Sequence, residues 1–349
     1  MKTSFISSHA MSQSMRSQMM RMQVELAQKQ QEATTGRVAD SGIALGARAG
    51  YSFSMARDIE RYQGLLDSNS VASNRLSATQ NSLQQLSDIG SELLSTLTAA
   101  ISGVDDTAIV RTSAKRVLES VTSILNSNLN GEYLFAGINT DVKPINDFTA
   151  PGSPNKAQFD ADFFGYFGFS QTDPAAAGIT AAQMNDFLST VLEPSFMGAG
   201  WQASWSNASD ETITSRITQN ETAETSTTAN STGMRKLALV AAALSDLLEG
   251  PLNGEARAAL YERSTALIAE AVPDIAKTQS EVGVAENRIK DANERVSAQI
   301  DLFKTFITDL EGVDAYEAAT KVNELLTQIE TSYALTARIQ QLSLLNYLS

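Results

Sequence analysis

Between Ile59 and Ala100, apolar and small side chains recur in steps of three and four residues: Ile59, Tyr62, Leu65, Asn69, Ala72, Leu76, Thr79, Leu83, Leu86, Gly90, Leu93, Leu97 and Ala100. Heptad spacing sustained that far predicts a single helix of roughly 60 Å, at about 1.5 Å per residue. A stripe so long cannot be covered by a small globule and needs a second long helix beside it. The second half of the chain supplies one. Val282, Ala285, Ile289, Ala292, Val296, Phe303, Phe306 and Leu310 keep the same spacing, and Glu286/Lys290 and Asp291/Arg295 stand at i,i+4 to pair on its wet side.

Shorter periodic runs surround these two. Met11, Met15, Met19, Met22 and Leu26 mark one face of an N-terminal helix, and residues 36–50, with four Gly, read as a joint. Gly103 ends the first long helix; Asp105 or Asp106 can cap the next, which carries Ala114, Val117, Val121 and Ile124 on one side. A helix from about Met234 stops at Gly250-Pro251, and another runs from about Glu255 toward Lys277 with a kink expected near Pro273. Gly312 stops the second long helix, Asp314 and Glu317 have capping-box spacing, and a last helix carries Val322, Leu325, Leu326, Ile329, Tyr333, Leu335, Ile339, Leu342 and Leu345.

Residues 141–232 differ in kind. They hold five of the seven prolines, eight of the 13 phenylalanines and both tryptophans. Trp201, Ala203 and Trp205 alternate, as do Ile213, Ser215 and Ile217, and ETAETSTTANST is Thr-rich, all of which suits strands. The expected architecture is therefore mainly α with a β-rich insert: a long antiparallel helical bundle or coiled coil formed by both chain ends, plus an inserted α+β or β domain. Terminal coiled-coil segments fall at 1–45 and 312–349, the bundle at 46–140 and 233–311, and the insert at 141–232.

The 349 residues carry 26 Lys and Arg against 40 Asp and Glu, a net charge of -14, which argues against a surface that tracks nucleic-acid phosphates or docks on an anionic membrane. The absence of Cys removes disulfides, thiolate metal sites and thiol nucleophiles. No run approaches the length of a membrane-spanning helix, and MKTSFISSHAMSQSMRSQMM has no continuous apolar core of the kind a cleaved secretion signal needs.

Catalytic chemistry is equally thin. His9 is the only histidine, so a His relay or a His-rich metal site lacks its second member. Asp160 and Asp162 in QFDADFF could pair for acid–base work or bind a hard cation, but read more readily as surface carboxylates beside an aromatic core. No phosphate-binding glycine loop occurs, and the Asn207, Asn220 and Asn230 sequons match a pattern too short to carry weight. No catalytic residue, cofactor or metal is expected.

The flanks of the long helix point elsewhere. In SNSVASNRLSATQNSLQQLSD they are Ser, Asn, Gln and Thr rather than Lys and Glu, which lets neighbouring helices approach without desolvating charge. The N-terminal helix offers five Met among residues 11–22, flexible packers, and the C-terminal helix carries apolar residues on more than one side, an arc that needs a second partner. Candidate assembly residues are Met11, Met15, Met19, Met22, Leu26, Val322, Leu326, Ile329, Tyr333, Ile339, Leu342 and Leu345.

Four segments in order then resemble the flagellin family: the N-terminal helix ending at Thr35-Gly36-Arg37 before an Asp40-Ser41-Gly42 turn, Leu76 to Leu93 (LSATQNSLQQLSDIGSEL), Asn130 to Gly137 (NGEYLFAG), and the tail from Ala285-Glu286-Asn287-Arg288 to Leu342-Ser343-Leu344-Leu345-Asn346-Tyr347-Leu348. NGEYLFAG, with Tyr133, Leu134, Phe135 and Gly137 as its core, looks more like the family's hook–filament junction branch than its filament branch. The resemblance implies a non-enzymatic structural subunit of the extracellular bacterial flagellum, exported by the flagellar type III apparatus without a cleaved signal peptide. It also implies partners: further copies of the chain, flagellin, hook-associated protein 1, and an export chaperone on the C-terminal helix. A filament flagellin is the nearest alternative. A cytoplasmic chemoreceptor-like signalling hairpin would have to explain the Pro-rich, aromatic insert, and an exported enzyme would have to explain the missing catalytic set.

Overall fold

The computed structural model describes residues 8–103 and 106–348; side chains are described from residue 10 to 338, residue 12 excepted. Ten helices of this stretch are α1 (Ser8–Thr35), α2 (Ser41–Leu45), α3 (Ala49–Ile101), α4 (Thr107–Leu125), α5 (Pro154–Phe167), α6 (Ala181–Phe187), α7 (Glu193–Met197), α8 (Thr232–Leu247), α9 (Gly254–Glu311) and α10 (Ala315–Leu348). Two hairpins complete it, β1 (Asn128–Leu129) with β2 (Glu132–Tyr133) and β3 (Thr214–Arg216) with β4 (Thr222–Glu224). The expected class holds: mainly α, with the inserted part of α+β type.

The chain divides into two units, one of Met1–Gly64 with Val296–Ser349, the other of Leu65–Arg295. In the first, Ser52 meets Glu311 and Tyr62 meets Phe303. In the second, Asn69 meets Asn293, Ser77 meets Glu286, Gln80 bonds the Gln279 carbonyl and Gly90 abuts Val272. Residue numbers rise along α3 as they fall along α9, so the two long helices run antiparallel within each unit. The heptad lies where its spacing puts it: Leu76, Leu83, Leu86, Leu93 and Leu97 are at most 1% exposed.

Both long helices exceed their expected lengths. α3 begins at Ala49, because the last glycines of the joint continue a short 3-10 turn into the helix rather than stopping it. α9 joins the two expected helices into 58 residues, with Pro273 inside. One proline removes a single donor, which long packed flanks outweigh. The α9 face also departs from the expected one near its end. Phe306 is 44% exposed and Ile307 buried, because the stripe steps by four after Phe303; a straight helix drifts against a strict heptad. The i,i+4 pairs do not form among the described residues: Glu286 accepts from Ser77, and Arg295 reaches Glu221. Asp106 occupies the N-cap of α4 without a side-chain bond, whereas the Asp314 carboxylate accepts from the Tyr316 and Glu317 N–H groups.

A continuous apolar cluster of the second unit runs from Ala72 to Ala292 and takes in the insert. α4 and α8 pack as neighbours there, and α8 is buried nearly all round through Ala238, Val240, Ala241, Ala242, Leu244 and Leu247. The insert's strands are confined to the β3–β4 hairpin, which contains the alternating Ser215. Trp201 to Trp205, which alternate as a strand would, form a single π-helical turn. That turn lays the two indoles parallel, centroids 5.6 Å apart, with Phe148 stacked on Trp205 at 5.4 Å. Stacking two large rings from one short segment overrides the period-2 signal.

Candidate assembly interface and the motif that anchors the insert

The terminal helices α1 and α10 lie against each other. Their seam is small: Met22, Leu325 and Ile329 are buried, with Met19 and Leu26 packed on them. The Thr336 hydroxyl reaches the Met15 sulfur at 3.9 Å, and the Gln23 amide donates to the Tyr333 hydroxyl at 3.1 Å. Of the expected interface residues, Met19, Met22, Leu26 and Ile329 thus meet within the chain, and Met15 and half-buried Val322 flank them. Met11, Leu326 and Tyr333 are exposed by 43%, 40% and 53%. Ile339, Leu342 and Leu345 lie outside the residues whose side chains are described. Leu325, which the pattern contains, proves central to the seam.

Beyond the seam, α1 carries Met20 and Val24 at 63% and 60% exposure, one helical turn apart on the side away from Met22. The spacing i,i+4 was there to find them. A groove of about 710 Å³ runs along the pair, walled by Met22 and by Thr320, Asn323, Thr327, Thr331 and Ser332. Small polar side chains alternate there with the longer Gln18, Gln328 and Glu324, so the groove is mixed rather than smooth.

Where the two terminal segments change direction they are tied together. Gly36 takes φ +67, the left-handed turn that ends α1. The Val38 N–H then donates to the Glu311 carbonyl at 2.8 Å, and the Val313 N–H donates to the Gly36 carbonyl at 3.0 Å. Arg37 stands 3.7 Å from the Glu311 carboxylate, which also accepts from the Ser52 hydroxyl. Glu32 locks the approach: it pairs with Lys29 at 2.6 Å and accepts from the Ala39 N–H. Its burial pushes the carboxyl pKa up, but the Lys29 and Ala39 bonds outweigh that and hold it below its ordinary value.

The NGEYLFAG motif sits in the second unit. Asn130 and Gly131, both with positive φ, form the two-residue turn between β1 and β2, an Asn-Gly hairpin signal with no period-2 pattern around it because each strand is only two residues long. The Arg75 guanidinium, from α3, donates to the Glu132 carboxylate and to the Tyr133 carbonyl, each at 2.6 Å. Leu134, Phe135 and Ala136 are buried, and Phe135 accepts from the Ala229 N–H at 2.7 Å. Gly137 has φ +65, and a Cβ there would stand 2.5 Å from the carbonyl oxygens of both Ser209 and Glu211. Only glycine fits such an approach. The motif is the seam on which the departing and returning chains of the insert are sewn.

Asn230 holds the return. Its carbonyl oxygen accepts from the Trp201 indole at 2.8 Å and the Ser206 hydroxyl at 2.6 Å, while its amide donates to the Ala208 carbonyl and the Asp210 carboxylate. A buried amide so engaged is no glycan acceptor; Asn207 and Asn220 are exposed. Asp160 and Asp162 do not act as a pair: Asp160 binds Lys156 and Gln171, and Asp162 accepts from Gln158. Lys156 also reaches buried Asp246, at 3.1 Å, in a cleft of about 560 Å³; burial pushes the Asp246 pKa up. Among the described residues no three His, Cys, Asp or Glu are grouped as a metal site, and no helix is long and apolar enough to cross a membrane.

Paired terminal helices with apolar residues left over, long helices that run antiparallel within each unit and a mid-chain insert make this a long-helix protein with an inserted α+β part. The bacterial flagellin N-terminal helical region matches residues 6–140, and the flagellin C-terminal helical region matches residues 265–348, together more than half of the chain. The chain belongs to the flagellin family. It is a flagellar structural subunit of a family that self-assembles, with other flagellar proteins, into the extracellular flagellum. A solved structure assigned as a flagellar hook-associated protein from Vibrio parahaemolyticus is 14% identical, covering 76% of this chain and 97% of that one, with a TM-score of 0.44. No curated protein matches the chain.

Proposed function

We propose that this chain is the subunit that joins the hook side of the flagellum to the flagellin filament, the role of hook-associated protein 3, and that it does so without enzymatic activity. The observation that carries the assembly part is the α1·α10 pair, whose three-residue seam leaves Met20, Val24, Leu326 and Tyr333 uncovered. Exposed apolar side chains on two paired helices are what neighbouring copies would cover. The junction role, as against the filament, rests on NGEYLFAG.

Residues 1–45 and 312–349 are then the polymerising ends, 46–140 with 233–311 the bundle, and 141–232 the outer insert. Met11, Met15, Met19, Met22, Leu26, Val322, Leu326, Ile329, Tyr333, Ile339, Leu342 and Leu345 form or flank the polymerising surface. The partners are further copies, flagellin on one side and hook-associated protein 1 on the other. Before export through the type III apparatus a chaperone covers the C-terminal helix, since a helix apolar on two faces aggregates when alone.

Immunogold electron microscopy of intact flagella tests the reading. Label confined to the boundary between hook and filament is the expected result. Label along the whole filament makes the chain a filament flagellin and overturns the junction role.

A further inference from the structure

The apolar face of α3 is interrupted by Asn69, which occupies a heptad position and is 1% exposed. An amide there must find partners or lose its hydration unrewarded. Both of its protons are taken: one goes to the Ile217 carbonyl at 2.9 Å, just past β3, and the other to the Asn293 side chain of α9 at 2.7 Å, while its own buried carbonyl oxygen accepts no bond. A single side chain of α3 therefore touches α9 and the β3–β4 hairpin at once.

The hairpin's other side is held from α9. Arg288 donates to the Thr222 carbonyl at 2.8 Å and to Glu221 at 3.3 Å, and Arg295, two turns further on, donates to the other oxygen of Glu221 at 2.6 Å. Arg75 meanwhile holds the β1–β2 hairpin. Asn69 and Arg75 are six residues apart, about 9 Å along α3. The chain leaving for the insert and the chain coming back from it are thus moored to the same short stretch of one helix.

We propose that the β3–β4 hairpin is a strap, with Asn69 as its positioning residue and the Arg288–Glu221–Arg295 triplet as its outer fastening, which fixes α3 against α9 near Leu65 and Arg295, where the second unit ends. The two fastenings differ in strength. The Asn69–Ile217 bond is buried and the Asn69–Asn293 bond partly so, and removing the first strands the Ile217 carbonyl. The triplet is partly exposed, its side chains being 46%, 32% and 56% accessible for Arg288, Glu221 and Arg295, and salt screens it. Ile217, fully buried, adds an apolar peg but no direction.

Hydrogen–deuterium exchange of the full-length chain tests the strap. In Asn69→Ala the amides of Ile217 and Thr225 exchange about tenfold faster, the factor expected for one lost buried hydrogen bond, while those of α4 and α8 keep their protection. In Glu221→Gln the same hairpin amides exchange about two- to threefold faster at low salt, and the difference vanishes near 1 M salt, where the Debye length is about 3 Å. Wild-type protection of the hairpin in both variants overturns the proposal, since the apolar core alone would then hold it. Equal loss of protection in α4 and α8 also overturns it, by making Asn69 an ordinary core residue. Should Asn69→Ala not fold, Glu221→Gln and Arg295→Gln, both at the surface, decide by the same two outcomes.

Discussion

Trp201, Phe135, Phe163 and Phe187 in the second unit are fully buried, inside a cluster that draws on the helices and the insert alike. The α1·α10 pair, by contrast, closes over Met22, Leu325 and Ile329, the least buried of them at 9%, with only Met19 and Leu26 partly buried against them. One region satisfies itself within a single chain; the other is a pair of helices with one thin seam and apolar residues facing water. Long isolated helices draw little stability from propensity, and a thin seam adds little more. The difference separates a body that is finished when the chain folds from ends that are finished only among neighbours.

Substitutions that open the second unit carry the largest expected effect. Trp201→Ala removes a fully buried indole stacked on Trp205 and bonded to Asn230, and is expected to lower stability by about 3–5 kcal/mol in thermal or urea unfolding. Met22→Ala offers the contrast: the second unit's unfolding midpoint stays where it was, and only α1 and α10 amides lose protection from exchange. If Met22→Ala destabilised the whole chain as Trp201→Ala does, the two regions would be one cooperative body and the contrast would fail.

Next comes Gly137→Ala. A positive φ and a Cβ at 2.5 Å from two carbonyl oxygens leave no relaxed solution, so a loss on the order of 3 kcal/mol is expected. The effect should appear as earlier exposure of the insert's aromatics, read by tryptophan fluorescence, with α1 and α10 unaffected. A neutral Gly137→Ala would mean the motif does not fasten the insert.

These residues also show what the sequence makes legible. Periodicity reveals long helices because a buried stripe repeats for dozens of residues; every position from Leu76 to Leu97 on the α3 heptad is buried. It fails where one local signal competes with tertiary packing. Trp201 and Trp205 alternate like a strand yet are stacked by a π-turn, and Asn130-Gly131 spells a hairpin whose strands are too short to show period 2. The roles of Glu221, Asn69 and Asn230 are invisible for another reason: Asn69 shows only as a heptad position and Asn230 only as a sequon, their partners lie far away in sequence, and no spacing rule connects Asn69 to Ile217. The candidate interface was half legible. Spacing gives the seam residues and the presence of excess apolar surface, but which Met faces α10 and which faces water depends on the helix partner.

A smaller effect lies at the joint. The lowered pKa of Glu32 means that its contribution is complete above the ordinary value of 4.5 and is lost as pH falls through the lower folded value. Glu32→Gln, which loses the Lys29 pairing, is expected to loosen α1 by about 1 kcal/mol at neutral pH. The gap between variant and wild type, followed by exchange of the Gly36 and Ala39 amides, should close as the solution is acidified past that range. A gap that persists at low pH would show that the charge of Glu32 is not what locks the joint.

The smallest effect on the fold should have the largest consequence for assembly. Met20 and Val24 point away from the seam and touch no buried cluster, so Met20→Glu with Val24→Glu is expected to change stability by less than about 0.5 kcal/mol per site. If sister copies cover that stripe, two carboxylates there must be desolvated on contact, and a charge buried without a partner opposes assembly strongly. Cells expressing only the double variant should secrete it and fail to retain filaments, while the purified chain keeps its wild-type unfolding curve. Normal filaments would remove this face of α1 from the interface and leave the flank of α10 at Leu326 and Tyr333 as the surface to test. A shifted unfolding curve would instead mean that the stripe already has a partner inside the chain, and the contrast between a finished body and unfinished ends would not hold.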